Sequence, residues 1–175
     1  ELTVVVPPKY YPGSFSLRGL TDSSGSPISG WQEDGVRFTI PLQTPLTPGE
    51  STSLNFSYQL NLPKKEGTFG VSGRQTNLMN WYPYIPPYEE GTGWIIHPQQ
   101  VENNMVVGEH MVTEMADFDV SLQLTDRQEL IEVAASAPAE EKNGVRHYHL
   151  ELARGFSFSV SDSYFEHAII QDGVR

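Results

Sequence analysis

Leu54-Asn55-Phe56-Ser57-Tyr58-Gln59-Leu60-Asn61-Leu62 alternates apolar and polar side chains without a break. Successive side chains of a strand leave opposite faces, so this run places Leu54, Phe56, Tyr58, Leu60 and Leu62 on one inward face. Upstream, Val36, Phe38, Ile40 and Leu42 alternate in the same way. Pro45, Pro48 and Gly49 supply turn chemistry between the two runs, which together read as a hairpin or meander.

The pattern recurs downstream. Phe118, Val120, Leu122 and Leu124 alternate, as do Phe156, Phe158 and Val160. The runs 130–135 and Tyr148, Leu150, Leu152 flank the polar Asn143-Gly144 turn and predict a second hairpin. A last strand is expected over 164–170, for a total of eight or nine. No stretch of 11 or more residues holds apolar spacing at i, i+3, i+4 and i+7, although 106–115 is ambiguous. Many short strands with Gly and Pro turns and no intervening helices predict an all-β fold, an antiparallel, saddle-like β-sandwich with little helix. The segment 64–115 is the least regular, and such segments carry binding or packing loops.

The 175 residues suit a single sandwich domain, 1–175, long enough to bury a real core. The chain opens without Met on the apolar run 2–6 and closes on a strand-like 168–175, so the expected object is a piece of a longer protein lacking its first strands. A formal charge of -11, from 22 acidic and 11 basic residues, argues against a nucleic-acid partner, because phosphate binding needs clustered Lys and Arg. No apolar run approaches the roughly 18 to 20 residues of a bilayer span, so no membrane insertion of this domain is expected. With no cysteine, the chain has no disulfide frame, thiolate metal site or Cys nucleophile. The compartment stays open, an extracytoplasmic or membrane-tethered parent included.

Few residues offer chemistry. His147, His149 and Glu151 occupy alternate positions of a predicted strand and share one face, the minimum geometry for a zinc site. The same strand turns Tyr148, Leu150 and Leu152 inward, which leaves the two histidines on the solvated face and favours no metal. His97, His110 and His167 show no ligand spacing. The paired acids Glu89 with Glu90, Glu109 with Glu114, and Asp117 with Asp119 do acid/base work only where burial separates their pKa values. Asp117 and Asp119 alternate with Phe118 and Val120 and so fall on an exposed strand face. Gly70-Val71-Ser72-Gly73 lacks the second spacer of Gly-x-Ser-x-Gly and reads as a turn or bulge between strands. Asn55-Phe56-Ser57 is a formal glycosylation sequon inside the best strand.

Asn80-Trp81-Tyr82-Pro83-Tyr84-Ile85-Pro86-Pro87-Tyr88, with Trp94 six residues on, concentrates rings and prolines as nowhere else in the chain. Proline fixes φ and aromatic rings have few rotors, so the segment orders at low entropic cost and reads as a rigid, partly buried surface loop. It holds no nucleophile, no base with an orienting partner and no metal-ligand set.

The order of features resembles the amino-terminal β-domain of zinc aminopeptidases of the gluzincin type, the group of membrane alanyl aminopeptidase and the leukotriene hydrolases, in a bacterial branch. The elements that carry it are Leu46-Thr47-Pro48-Gly49-Glu50 before the long strand, Phe69-Gly70, Asn80-Trp81-Tyr82-Pro83, Gly93-Trp94 and Ala116-Asp117-Phe118-Asp119-Val120, spread over about 2–174. That resemblance implies a catalytic domain downstream in the same chain, holding zinc through His-Glu-x-x-His and a distant Glu and acting on a peptide substrate. This chain contains no His-Glu-x-x-His and no Gly-x-Met-Glu-Asn, so it is expected to be no enzyme by itself and to hold no cofactor. In such enzymes the β-domain lends a Gln or Glu to the substrate's amino terminus. Here the corresponding region reads Ser72-Gly73-Arg74-Gln75, so Gln75 and Arg74 are the substrate-proximal candidates, Gln75 out of register and Arg74 of the wrong charge for an amine.

The expected function is therefore a noncatalytic β-domain that caps the catalytic domain of a metallopeptidase-like protein, with Trp81, Tyr82, Tyr84, Tyr88 and Trp94 at the domain interface. The alternative is a free-standing sandwich that binds a protein or ligand through the same 80–94 aromatics. A third reading is a degenerate, peptidase-like parent.

Overall fold

The computed structural model describes residues 1–96, 101–102, 105–106, 112–125 and 131–165. Sixteen strands and one 3-10 turn, Pro7–Tyr10, make up its regular structure, so the all-β expectation holds among the described residues. The strands are β1 (Leu2–Val5), β2 (Phe15–Asp22), β3 (Gln32–Asp34), β4 (Arg37–Ile40), β5 (Leu54–Leu60), β6 (Phe69–Ser72), β7 (Gln75–Leu78), β8 (Tyr88–Glu89), β9 (Gly93–Trp94), β10 (Val101–Glu102), β11 (Met105–Val106), β12 (Ala116–Gln123), β13 (Glu132–Ala135), β14 (Ala139–Lys142), β15 (Val145–Ala153) and β16 (Phe158–Ser161). Every pairing is antiparallel. The count exceeds eight or nine because several pairs are only two residues long. The last predicted strand, 164–170, does not start at Tyr164 or Phe165, and its remainder lies outside the described residues, as do 107–111 of the ambiguous 106–115 stretch.

Two hydrophobic clusters form, each between two sheets. In the first, β1-β4-β3 faces the β2-β5 ribbon, and Leu2, Val4, Phe15, Leu20, Phe38 and Ile40 are buried between them. In the second, β12-β15-β14 faces β13-β16-β7-β6 around Tyr148, Phe156 and Phe158. The chain thus builds two small sandwich-like cores where the alternation alone suggested one.

Pairing corrects two of the expected hairpins. β5 alternates as predicted, with its even-numbered residues half-buried and its odd ones exposed. It does not pair with β4, however, because β1 and β3 already occupy both edges of β4. Residues 41–53 instead carry the chain across the core to the facing sheet, where β5 pairs with β2. At Asn143-Gly144, φ is +54° and +74°, the two positive values a tight hairpin turn requires. That two-residue loop sets Lys142 opposite Val145, so the partner of β15 is the polar β14 and not 130–135. Residues Glu132–Ala135 belong to the other sheet, paired with β16.

Leu152 departs from the predicted inward face and is 74% exposed. Between Ala116↔Ala153 and Phe118↔Leu150, β15 carries one residue more than β12, and this bulge shifts the alternation. Leu152 takes φ +49° there, a conformation branched side chains avoid, and its amide donates to Asp117 Oδ1 at 2.9 Å. The Asp117 carboxylate thereby holds the distorted backbone in place.

The irregular-looking 64–115 region contains a true hairpin, β6 and β7, closed by Gly73-Arg74. The elbow-like Gly70-Val71-Ser72-Gly73 is therefore strand β6 and the start of its turn. Gly70 is required by its surroundings. Its φ is +152°, and a Cβ there would meet the carbonyl oxygens of Pro63 and Lys65 at 2.8 Å. Replacing Gly70 by Ala should cost about 1–3 kcal/mol of stability, from backbone strain and clash with oxygens that cannot rotate away. Thermal unfolding of Gly70→Ala checks this against Gly19→Ala, where the new methyl would meet only Ser57 Cβ at 3.8 Å.

Candidate domain interface

Residues 79–96 run from the second cluster to the first. Trp81 stacks on Phe158 with centroids 5.3 Å apart, and Tyr82 meets Phe118 edge-on at 5.5 Å. Both also bond to the backbone of Phe156. Trp81 Nε1–H donates to its carbonyl at 3.1 Å, and its amide donates to the Tyr82 hydroxyl at 3.1 Å. Two residues on, Tyr84 forms a bridge with Val5 of β1, with backbone hydrogen bonds of 2.8 and 2.9 Å. Pro86 is fully buried. Ile95 N donates to Pro87 O at 2.8 Å, closing the β8-β9 hairpin, where Tyr88 meets Trp94 edge-on at 5.0 Å and Trp94 lies against the first cluster.

Of the five interface candidates, Trp81, Tyr82, Tyr84 and Trp94 are half-buried against this chain's own cores. Desolvation, with Tyr10 nearby, pushes Tyr84 up to about 12, and desolvation also raises Tyr82, partly offset by the Phe156 amide. Tyr58, whose hydroxyl donates to Trp81 O at 3.4 Å, is likewise pushed up to about 12 by desolvation and by Tyr82. Tyr88 is different, at 63% exposed, and Ile85 and Met79 stand out with it at 51% and 45%. The sequence pattern did not single out Ile85 or Met79; apolar residues flanking the rigid rings were the available signal.

Arg74 and Gln75 lie at the β6-β7 turn. Arg74 Nε pairs with Asp162 Oδ1 at 2.6 Å and its Nη2 reaches the Asp162 carbonyl at 3.2 Å. This ion pair raises the guanidinium pKa further. Gln75 Nε2 donates to Asn77 Oδ1 at 2.9 Å and to Ser159 Oγ at 3.0 Å, in a polar cluster that also joins Ser159 to Tyr164.

The histidine face is solvated, as its alternation required. His147 Nδ1 lies 2.9 Å from Ser121 Oγ. His149 Nδ1 is 2.7 Å from Asp119 and its Nε2 3.2 Å from Glu151, so both ring nitrogens already have carboxylate partners. Those hydrogen bonds, the Asp119 one first, raise the His149 pKa. His147, His149 and Asp119 help line a shallow groove of about 500 Å³, but no group of three or more acidic or histidine side chains among the described residues is arranged to hold a metal. Asp117 and Asp119 share the exposed face of β12, and Glu89, Glu90 and Glu114 are exposed. His97, His110, Glu109 and His167 lie outside the described residues. Asn55 of the sequon is exposed on β5, its side-chain amide donating to Asp22 O at 2.7 Å.

Two measurements check this geometry. Tyr82→Phe strands the buried Phe156 amide and should lower stability by about 1–3 kcal/mol, whereas Tyr88→Phe should leave the denaturant midpoint unchanged. For His149, the raised pKa means its contribution to stability is complete below its unfolded value of about 6.5 and is lost as pH rises through the folded value. NMR titration of the imidazole should give a midpoint above that value, and Asp119→Asn should lower it.

No family model matches the sequence, and no curated protein matches it. Among solved structures, the chain is similar to a mutant M1 zinc metallopeptidase from Deinococcus radiodurans bound to a Tyr-Ser-Ala substrate, with a TM-score of 0.44 and 13% identity over 91% of this chain. The match covers 34% of that protein, so this chain spans about a third of its length.

Proposed function

We propose that this chain is a noncatalytic β-domain of a zinc-metallopeptidase-like protein, which docks on a catalytic domain through the outer edge of residues 79–88. The observation that carries the docking surface is the exposure of Met79, Ile85 and Tyr88 on a segment fixed from behind by buried Pro86 and the Val5–Tyr84 bridge. Apolar side chains held on a rigid support lose little entropy on association, which suits a permanent interface. The kind of partner follows from the ordered set Pro48-Gly49-Glu50, Asn80-Trp81-Tyr82-Pro83, Gly93-Trp94 and Ala116-Asp117-Phe118-Asp119-Val120, together with the lack of His-Glu-x-x-His in the chain itself.

On this reading zinc and peptide substrate belong to the parent's catalytic domain. Gln75 would lie nearest a substrate amino group, and the Asp162 carboxylate would offset the Arg74 charge that otherwise repels an amine. The reading frame beyond Arg175 should encode His-Glu-x-x-His; a frame that stops there overturns the proposal. In the parent protein, Ile85→Asp with Tyr88→Ser should loosen the docking of the two domains, read as separate unfolding transitions, while the isolated chain keeps its thermal midpoint. A single unchanged transition would overturn the docking surface.

A further inference from the structure

Asn143 stands apart from the other described asparagines. The side-chain amides of Asn55, Asn61 and Asn77 donate to the carbonyls of Asp22, Gly13 and Gly67 at 2.7, 3.3 and 2.7 Å, and Asn80 is followed by the bulk of Trp81. Asn143 is exposed and precedes Gly144, in the one Asn-Gly step of the sequence. Neither its side chain nor the Gly144 amide has a hydrogen-bond partner among the described residues.

An unbonded glycine amide, with no side chain to hinder it, is a nucleophile for the neighbouring side-chain carbon. The bond from Gly144 N to Asn143 Cγ forms as the Cγ–Nδ2 bond breaks, and Nδ2 leaves as ammonia with the proton from Gly144 N. Water then opens the five-membered succinimide at either carbonyl, giving an aspartate or an isoaspartate at position 143. One water is consumed and one ammonia released, and no other reactant is needed.

The closed turn holds this reaction back. With φ of +54° and +74° the loop is of the I′ kind, in which ψ of the first residue is about +30°. That angle sets Gly144 N on the far side of the Cα–C bond from the side chain, so attack requires the hairpin end to open. The end is weakly held. All four residues of β14 are exposed, and none joins either hydrophobic cluster. Its side-chain tie to β15 is Glu141 with Arg146 Nε at 3.8 Å, a pair with a largely solvated carboxylate that contributes little. Segments with few buried apolar contacts open locally at low cost.

We propose that Asn143 is a deamidation site, gated by the opening of β14, and that the isoaspartate formed there keeps the strand open. Isoaspartate routes the main chain through the side-chain carbon and adds a backbone atom to a loop whose length sets Lys142 opposite Val145. The native register is then lost. The reaction also adds a carboxylate beside Glu140 and Glu141, in a chain already at -11, and repulsion opposes re-closure. Residues 138–140 form one wall of the groove over His147 and His149, and Ala139 pairs with the buried Tyr148. Release of β14 takes away that wall and admits solvent to Tyr148. This site is independent of the docking surface at 79–88.

Ageing the intact chain at mildly alkaline pH tests the proposal, because base removes the Gly144 proton. Trypsin, cutting after Lys142 and Arg146, isolates residues 143–146, and mass spectrometry reads the exchange of an amide for a carboxylate. Asn143 should convert ahead of Asn55, Asn61, Asn77 and Asn80, and roughly tenfold faster in urea, where the hairpin is open. Hydrogen exchange of the 139–148 amides should quicken in the aged chain. Asn143→Gly fits the same turn but cannot react, so it should age with neither change. An Asn143 that stays intact in the folded chain, or converts no sooner than the other four, would overturn the site. Equal rates with and without urea would overturn the gating, and a converted chain with unchanged exchange would overturn the release of β14.

Discussion

Phe156 is gripped through its backbone by the two rings that open the aromatic segment. Its carbonyl accepts from Trp81 and its amide donates to the Tyr82 hydroxyl, while its own ring is buried in the second cluster. A buried peptide unit outside a strand must find partners for both polar groups, and here two side chains supply them. The arrangement fixes where residue 82 leaves the second core. Two residues later Tyr84 is on the edge of β1, and by Trp94 the chain lies against the first core. The proline-rich composition of 83–87 makes this short crossing rigid, so the orientation of its outer edge follows from the contacts of its inner one.

That inner edge changes what the aromatic residues mean. A run of Trp, Tyr and Pro fits a binding surface and a core equally well, since large rings dominate both. Sequence separates the two only through periodicity, and 80–88 has none, because its turns break any regular alternation. The structure puts most of the rings inward and leaves the outer edge to Tyr88 and two aliphatic neighbours.

Faces were legible wherever alternation was unbroken, and partners were not. The inward set of β5 and the exposed side of the histidine strand follow from period two alone. Which strand lies beside β4 or β15 depends instead on loop geometry and on which edges are already taken. β14, Ala-Glu-Glu-Lys, has no apolar pattern to reveal it and is a strand because the Asn143-Gly144 turn folds it onto β15. Leu152 shows the other limit. One extra residue on β15 reverses inside and outside at the end of the strand, where a carboxylate 35 positions away accepts from the displaced amide. For the candidate site, Arg74 and Gln75 could be placed near a turn, but not matched to Asp162, Asn77 and Ser159, since those contacts bridge more than 80 residues in two of the three cases.

Charge gives the edges a common logic. A molecule with twice as many acids as bases repels its own copies, and most of its exposed strand edges reinforce that with Asp or Glu. Edge carboxylates act locally, within about a Debye length of 8 to 10 Å, so the field at a strand without charges is set by its immediate neighbours. On β5 the outward side chains are Asn55, Ser57 and Gln59, and the nearest opposed charges are met within the sheet. Arg18 donates to Gln59, and the Asp22 carboxylate accepts from Ser24 and Ser26. The turn at 22–26 thus holds its carboxylate on its own hydroxyls and amides. The β2-β5 ribbon thus carries one guanidinium and one carboxylate, both on β2 and both hydrogen-bonded at home, while β5 itself adds no charge between them.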